Sequence, residues 1–238
     1  VTSKDKESIQ HYFDRHMELE NLLLARGDSS RLSVLRELHE IVEVVNVRQS
    51  EQLGLGHAIL CASKIIGADP FVVMLPDDII LGPPNTTAQM INAFNQYQTS
   101  VIAVQEVLGP EITNYGVITA EVISEGIFKV LATVEKPAFN KAPSNLGIVG
   151  RYVLTSEIFD AITAVKPGAL GEIQLTDALS ILMESQEIMA CLVRGERYDV
   201  GNPMGLLEAS ISIAIRDQES GPKFAQFLRK LLGSYPNL

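Results

Sequence analysis

The pattern of apolar and polar positions divides the chain into alternating helical and extended stretches. Residues 5–24 place Ile9, Tyr12, Phe13, Met17, Leu19, Leu22 and Leu23 at helical spacing behind polar residues able to cap, which predicts an amphipathic helix with a face to bury. Gly27-Asp-Ser-Ser30 reads as a loop and 31–40 as a short second helix, while the β-branched run 41–47 predicts a strand. Gly54-Leu-Gly-His-Ala58 is a glycine turn, and 58–66 after it is patterned as a helix. Phe71-Val-Val-Met-Leu-Pro-Asp-Asp78 is a short apolar run stopped by a proline and two carboxylates, the pattern of a strand buried on both faces. A helix over 87–97 and a strand over 100–107 follow. Strand, helix and strand at this spacing predict an α/β fold with a mostly parallel, doubly wound, Rossmann-like sheet.

Further on, 115–118, 127–130 and 131–135 alternate like paired antiparallel strands, and 145–154 is a strand interrupted by glycines, where backbone approaches a ligand or another strand closely. Residues 156–161 predict a helix, 171–177 open another that runs to 183, 188–193 a strand, and 198–202 a polar turn. Helices over 204–216 and 222–232 close the chain. The expected organisation is a single domain over 1–238, with 115–154 as an antiparallel extension and 204–238 as C-terminal helices.

At 238 residues and 46% hydrophobic content the chain can bury a sizeable core. No run of about 18 apolar residues and no leader-like N-terminus occur, so no membrane span is predicted and a cytoplasmic location is the expectation. A net charge of −10 with no Lys/Arg cluster argues against nucleic acid as a partner. Cys61 and Cys191 sit in apolar surroundings without metal-ligand spacing and read as buried thiols.

Candidate chemistry begins at Asp77 and Asp78. Carboxylates at the carboxyl end of a strand lie where open α/β sheets hold their ligands, and paired acids suit magnesium, which keeps its waters and bridges to substrate phosphates. Capping of the next turn is the competing reading of the same pair. Gly54-Leu-Gly has two readings as well, a tight turn or a helix start whose amides approach an anion. Lys136, ahead of Pro137, places a cation at another strand edge, and Asp199 is an isolated acid in a turn. Neither a dinucleotide fingerprint nor a Walker lysine motif is present.

Taken together, Gly54-Leu-Gly-His-Ala58, Leu75-Pro-Asp-Asp78, Tyr115-Gly-Val117, Val134-Glu-Lys-Pro137, Ala142-Pro-Ser-Asn-Leu146, Ile148-Val-Gly-Arg-Tyr-Val-Leu154, Gly171-Glu-Ile-Gln-Leu-Thr-Asp177 and Tyr198-Asp-Val-Gly-Asn202 form a set in a characteristic order. With these motifs the sequence resembles the bacterial UTP:glucose-1-phosphate uridylyltransferases, or UDP-glucose pyrophosphorylases, over essentially its whole length. The resemblance implies the sugar nucleotidyltransferase fold with a sugar-side antiparallel extension. It implies a magnesium-dependent reaction in which glucose 1-phosphate attacks the α-phosphorus of UTP to give UDP-glucose and pyrophosphate. By the same resemblance Asp77 and Asp199 hold the metal, Glu135 and the Gly116 backbone bind glucose hydroxyls, and Lys136 meets the sugar's phosphate as the catalytic cation. Gln49 and Gly54 match positions that recognise uracil, and Ile148, Val149 and Tyr152 line the sugar side. A homo-oligomer, dimer or tetramer, is the expected assembly. Members of that group open with a strand and a Gly-x-Gly-Thr-Arg loop that this sequence does not contain, so its N-terminal part is expected to be incomplete. A non-catalytic sugar-nucleotide binding module, and thymidylyl or cytidylyl transfer, are the alternatives.

Overall fold

Val101-Ile-Ala-Val104 is apolar at every position because both faces of the strand it forms are covered. In the computed structural model, which describes residues 1–4, 6, 11–168 and 171–235, these four side chains are fully buried. Their strand, β3 (Val101–Glu106), lies inside a six-stranded sheet. The other members are β1 (Phe71–Met74), β4 (Gly116–Ser124), β5 (Ile127–Glu135), β6 (Leu146–Leu154) and β7 (Met189–Leu192), in the spatial order β1-β6-β3-β7-β5-β4. β3 and β7 pair in parallel; β6 is antiparallel to β1 and β3, and β5 is antiparallel to β7 and β4. Four of the six strands (β1, β3, β7 and β4) therefore run one way, although β6 and β5 intervene and leave β3–β7 as the parallel ladder. The 115–154 stretch is antiparallel as expected and continuous with this sheet, since β4 and β5 extend one edge and β6 sits between β1 and β3. A separate ribbon joins β2 (Asp78–Leu81) to β8 (Glu196–Asp199), with Asp78 opposite Asp199.

Helices cover both faces, as double winding requires. On one side α6 (Ile158–Ala164) and α7 (Leu175–Leu182) join Ile102, Val104, Ile118, Tyr152 and Leu154 in the main core. On the other, α5 (Thr86–Tyr97) brings Met90 and Ala93 onto Val101, Ala103, Val149 and Val153. Asn85 starts α5 by accepting from the Ala88 amide at 3.0 Å, the usual way to satisfy a free helix N–H. Two further helices, α8 (Pro203–Arg216) and α9 (Gly221–Gly233), close the chain. Cys191 is buried and Cys61 half-buried, and both are free thiols.

Tyr198 and Asp199, expected in a polar turn, end β8 instead, and three larger expectations change. The predicted helix over 5–24 breaks at Asp14–His16 and resumes as α1 (Met17–Arg26); residues 5 and 7–10, Ile9 among them, lie outside the described residues. Among the described residues of its expected apolar face only Leu23 is buried, and Tyr12, Met17, Leu19 and Leu22 are exposed. The predicted strand over 41–47 is not a sheet strand: α2 (Ser29–Ile41) runs into its first residue, and a single bridge joins the adjoining Arg48 to Thr2. High β-propensity expresses itself only where a neighbouring strand supplies hydrogen bonds and a packed face. β1 is not buried on both faces. It is an edge strand paired to β6, and Val72 and Met74 are 38% and 56% exposed.

The expected Gly-Leu-Gly turn is itself the start of a helix, and its Gly56 is taken up by packing. α3 (Gly54–Cys61), followed by the single turn α4 (Ser63–Ile66), lies against residue 173, with the Gly56 amide donating to the Ile173 carbonyl at 2.9 Å and the Ile173 amide to Leu53 at 2.8 Å. A Cβ on Gly56 would fall 2.8 Å from the Ile173 oxygen and 2.9 Å from its Cγ2. Gly56→Ala is expected to cost about 1–3 kcal/mol through overpacking, read from urea unfolding.

Glu20 ties α1 to α2. Its carboxylate accepts from Arg15 Nε at 2.7 Å and from Arg36 Nε at 3.1 Å. The Arg15 hydrogen bond, helped by Arg36, outweighs burial and holds Glu20 down at about 2, from an ordinary 4.5. A depressed acid stabilises the fold above its unfolded pKa and ceases to as pH falls through the folded one. Stability is therefore expected to drop between about pH 4.5 and about 2, and a melting series over that range with Glu20→Gln should show a smaller drop.

Candidate active site

The adjacent acids of the β1–β2 turn have different fates. Asp78 is buried and its carboxylate pairs with Arg197 of β8 and accepts the Gly150 amide of β6. Arg197 also donates to the Tyr115 hydroxyl at 3.0 Å. Burial works against its charge, but the Asp78 carboxylate and Tyr115 more than offset this and hold the guanidinium above its ordinary value. Arg151 crosses the same turn, donating to the Leu75 carbonyl at 2.9 Å and the Asp78 carbonyl at 2.7 Å; desolvation lowers its pKa despite the nearby acids. Asp77 is exposed, and it faces Asp199, also exposed, at the end of β8. The Val200 amide donates to the Asp77 carbonyl at 2.8 Å, which clips the two turns together.

Gly201 shows how close these acids come. A Cβ built there would lie 3.1 Å from Asp199 Oδ1 and 3.2 Å from Asp77 Oδ2, so one point touches both carboxylates. Any side chain would crowd that space. Two water-accessible carboxylates fit a magnesium ion, which needs few protein oxygens and completes its shell with water and phosphate. No cluster of three or more metal-ligating side chains exists among the described residues.

Two cavities meet at Leu55, Leu75 and Asp77. One, of about 320 Å³, is also lined by Gly116, Glu135, Lys136, Ile148, Tyr152 and Asp199. Glu135 accepts from Thr176 Oγ1 at 2.6 Å, and the Lys136 ammonium stands 3.9 Å from its other oxygen. Lys136 holds a φ of +42°, a backbone conformation rare outside glycine, where β5 ends. A side chain at Gly116 would crowd its neighbours, because a Cβ would lie 3.0 Å from Thr176 Oγ1 and 3.2 Å from Glu135 Oε2. Tyr152 closes the floor, and burial, with the Asp78 and Glu135 charges, pushes its phenol well above the usual tyrosine range. The other cavity, of about 920 Å³, carries Gln49 and Gly54 beside the exposed edge of β1.

The structure thus gathers Asp77, Asp199, Gly116, Glu135, Lys136, Ile148 and Tyr152 on one side and Gln49 and Gly54 on the other. Val149 is the exception. Its side chain is 2% exposed and packs on α5 across the sheet, since neighbours of Ile148 along a strand point to the opposite face. Thr176, Tyr115 and Arg197 are wall residues that the sequence reading did not single out. Each lies in or beside a quoted motif, and Arg197 stands two residues before Asp199. Other motif residues serve the scaffold: the Ser144 hydroxyl donates to the Ile118 carbonyl at 2.6 Å and accepts the Leu146 amide at 3.0 Å.

The family model described as nucleotidyl transferase matches residues 1–215. The chain belongs to the nucleotidyl transferase family. A UTP–glucose-1-phosphate uridylyltransferase of Bacillus subtilis strain 168, YngB, is 37% identical to it over 232 residues, 98% of this chain and 78% of that protein. UTP–glucose-1-phosphate uridylyltransferase 2 of Staphylococcus saprophyticus is 40% identical over 231 residues, 97% of this chain and 80% of that one. Among solved structures, UTP-bound UGPase from Acinetobacter baumannii superimposes with a TM-score of 0.89 at 34% identity, over 97% of this chain and 81% of that one. A UDP-glucose pyrophosphorylase complexed with UDP-glucose gives a TM-score of 0.80 at 39% identity, over 90% of this chain and 78% of that one. The nucleotidyl transferase fold predicted from the motifs is the one observed. No helix among the described residues is long and apolar enough to cross a membrane.

Removing one partner of a buried ion pair leaves the other charge stranded. Arg197→Met is expected to cost about 3–5 kcal/mol in chemical denaturation. Adding Asp78→Asn to it should recover part of the loss, because the stranded charge is then gone.

Proposed function

We propose that this chain catalyses uridylyl transfer from UTP to glucose 1-phosphate, forming UDP-glucose and pyrophosphate, within one nucleotidyltransferase domain. The observation that carries the reading is the meeting of the two cavities at Asp77, with Asp199 across from it. A base held at Gln49 and Gly54 and a sugar held at Glu135 and Gly116 would bring their phosphates together beside those two acids.

The chemistry asks mainly for positioning and charge neutralisation. An anionic phosphate oxygen of glucose 1-phosphate attacks the α-phosphorus of UTP; the new P–O bond forms as the bond to the β-phosphate oxygen breaks, and pyrophosphate leaves with that electron pair. Asp77 and Asp199 would hold Mg2+, which when bound neutralises charge on the phosphates. Lys136 supplies a cation for the sugar's phosphate; its exposed ammonium, 3.9 Å from Glu135, belongs to the wall of the same cavity. Glu135, anchored by Thr176, accepts hydrogen bonds from glucose hydroxyls. The Gly116 backbone approaches the sugar without a side chain in the way, over a floor of Ile148 and Tyr152.

Pyrophosphate release with magnesium and glucose 1-phosphate, offering UTP, dTTP, CTP and ATP separately, tests the assignment. Release is expected with UTP, and Asp199→Ala should lower it about a hundredfold or more. Equal release with another nucleotide would refute the uridylyl assignment, and undiminished turnover in the Asp199 variant would remove that acid from the metal site.

A further inference from the structure

Gln49 faces the larger cavity with its amide already committed on one side. Its Nε2 lies 3.2 Å from the Gly54 carbonyl and 3.0 Å from His57 Nδ1. A carbonyl only accepts, so the atom facing it must be the amide nitrogen and not the amide oxygen. The second N–H then points to His57 Nδ1, which must accept it. That places the imidazole proton on Nε2, the side facing Cys61 Sγ at 3.9 Å. Both Nε2 protons are consumed, and Oε1 has no protein partner among the described residues.

We propose that His57 is a positioning residue that sets base specificity by holding the Gln49 amide with its oxygen toward the ligand. The proposal rests on the base-reading role given to Gln49 above. His57 forms no part of either cavity wall, so its action on a ligand passes through Gln49. A lone acceptor selects a ring that presents a donor. Uracil carries N3–H, whereas the N3 of cytosine is itself an acceptor and would meet Oε1 lone pair to lone pair. The Gly54 carbonyl alone secures one of the two N–H groups. His57 secures the other, and with it the amide loses the freedom to rotate its nitrogen into the cavity. The helix places this device by its own period: Gly54, His57 and Cys61 recur at spacings of three and four along α3.

Calorimetric binding of UDP-glucose and of CDP-glucose to the full chain, with magnesium present, tests this in His57→Phe, His57→Asn and Gln49→Ala. His57→Phe keeps a ring but removes the acceptor, and it is expected to weaken UDP-glucose about tenfold while leaving CDP-glucose unchanged. The preference for uracil should narrow by that factor. His57→Asn, whose side-chain carbonyl offers an acceptor near the position of Nδ1, should restore it. A preference unchanged in His57→Phe but narrowed in Gln49→Ala would overturn the role of His57 and leave the base-reading role of Gln49 standing. Equal weakening of both nucleotides in His57→Phe would overturn it too, since that is the mark of a merely structural residue. A preference unchanged in Gln49→Ala would overturn both.

Discussion

The ion pair between Asp78 and Arg197 is the constraint on which the site depends. A carboxylate this enclosed must have a partner, and Arg197 supplies it from a strand more than a hundred residues later. The same guanidinium reaches the Tyr115 hydroxyl, next to Gly116, while the Asp78 carboxylate also takes the Gly150 amide of β6. One buried contact therefore fixes the β1–β2 turn, the start of β4, the middle of β6 and the strand that ends at Asp199. Asp77 is presented by that turn and Asp199 by that strand. With Asp78 neutralised inside the protein, its neighbour is left as the acid that faces solvent.

A two-cavity site suits a reaction in which the protein forms no bond to the substrates. Two ligands, one in each cavity, would need only to be held in line, with the charge between them balanced. Gly201 leaves open the space shared by Asp77 and Asp199, and Gly116 leaves open the space under Thr176 and Glu135. Lys136, held in a left-handed conformation, turns the chain out of β5 just where the sheet ends, so that Glu135 and Lys136 reach the same cavity although they are consecutive. The larger cavity runs along the unpaired edge of β1, where Val72 and Met74 are exposed.

Much of this was legible in the residue pattern. The apolar run of β3, the capped helix α5 and the alternation of β4 against β5 each follow from local periodicity, and each appears at about its expected place. The motif residues Asp77, Asp199, Glu135 and Lys136, from distant stretches of the chain, line one cavity. Other readings needed partners that the local pattern does not name. The run over 41–47 has the composition of a strand but only Thr2 pairs beside it, at Arg48. Gly54-Leu-Gly read as a tight turn or as a ligand-facing helix start; it begins a helix, and Ile173, more than a hundred residues away, takes up its Gly56 amide. Val149 sits in the same motif as Ile148 and Tyr152, yet the strand turns it to the α5 side.

What the sequence by itself determined were the properties set by near neighbours: periodicity, the breaker after the β1 run, the acidity of the chain and the order of its motifs. The tertiary structure decided which of two adjacent acids is structural and which is exposed, and that Arg197 and Thr176 line one cavity with Asp77. The division has a physical cause. Side-chain period is a local property of the backbone, whereas the partner that neutralises a buried charge or fills the space over a glycine arrives from a distant strand or helix only when the chain has folded.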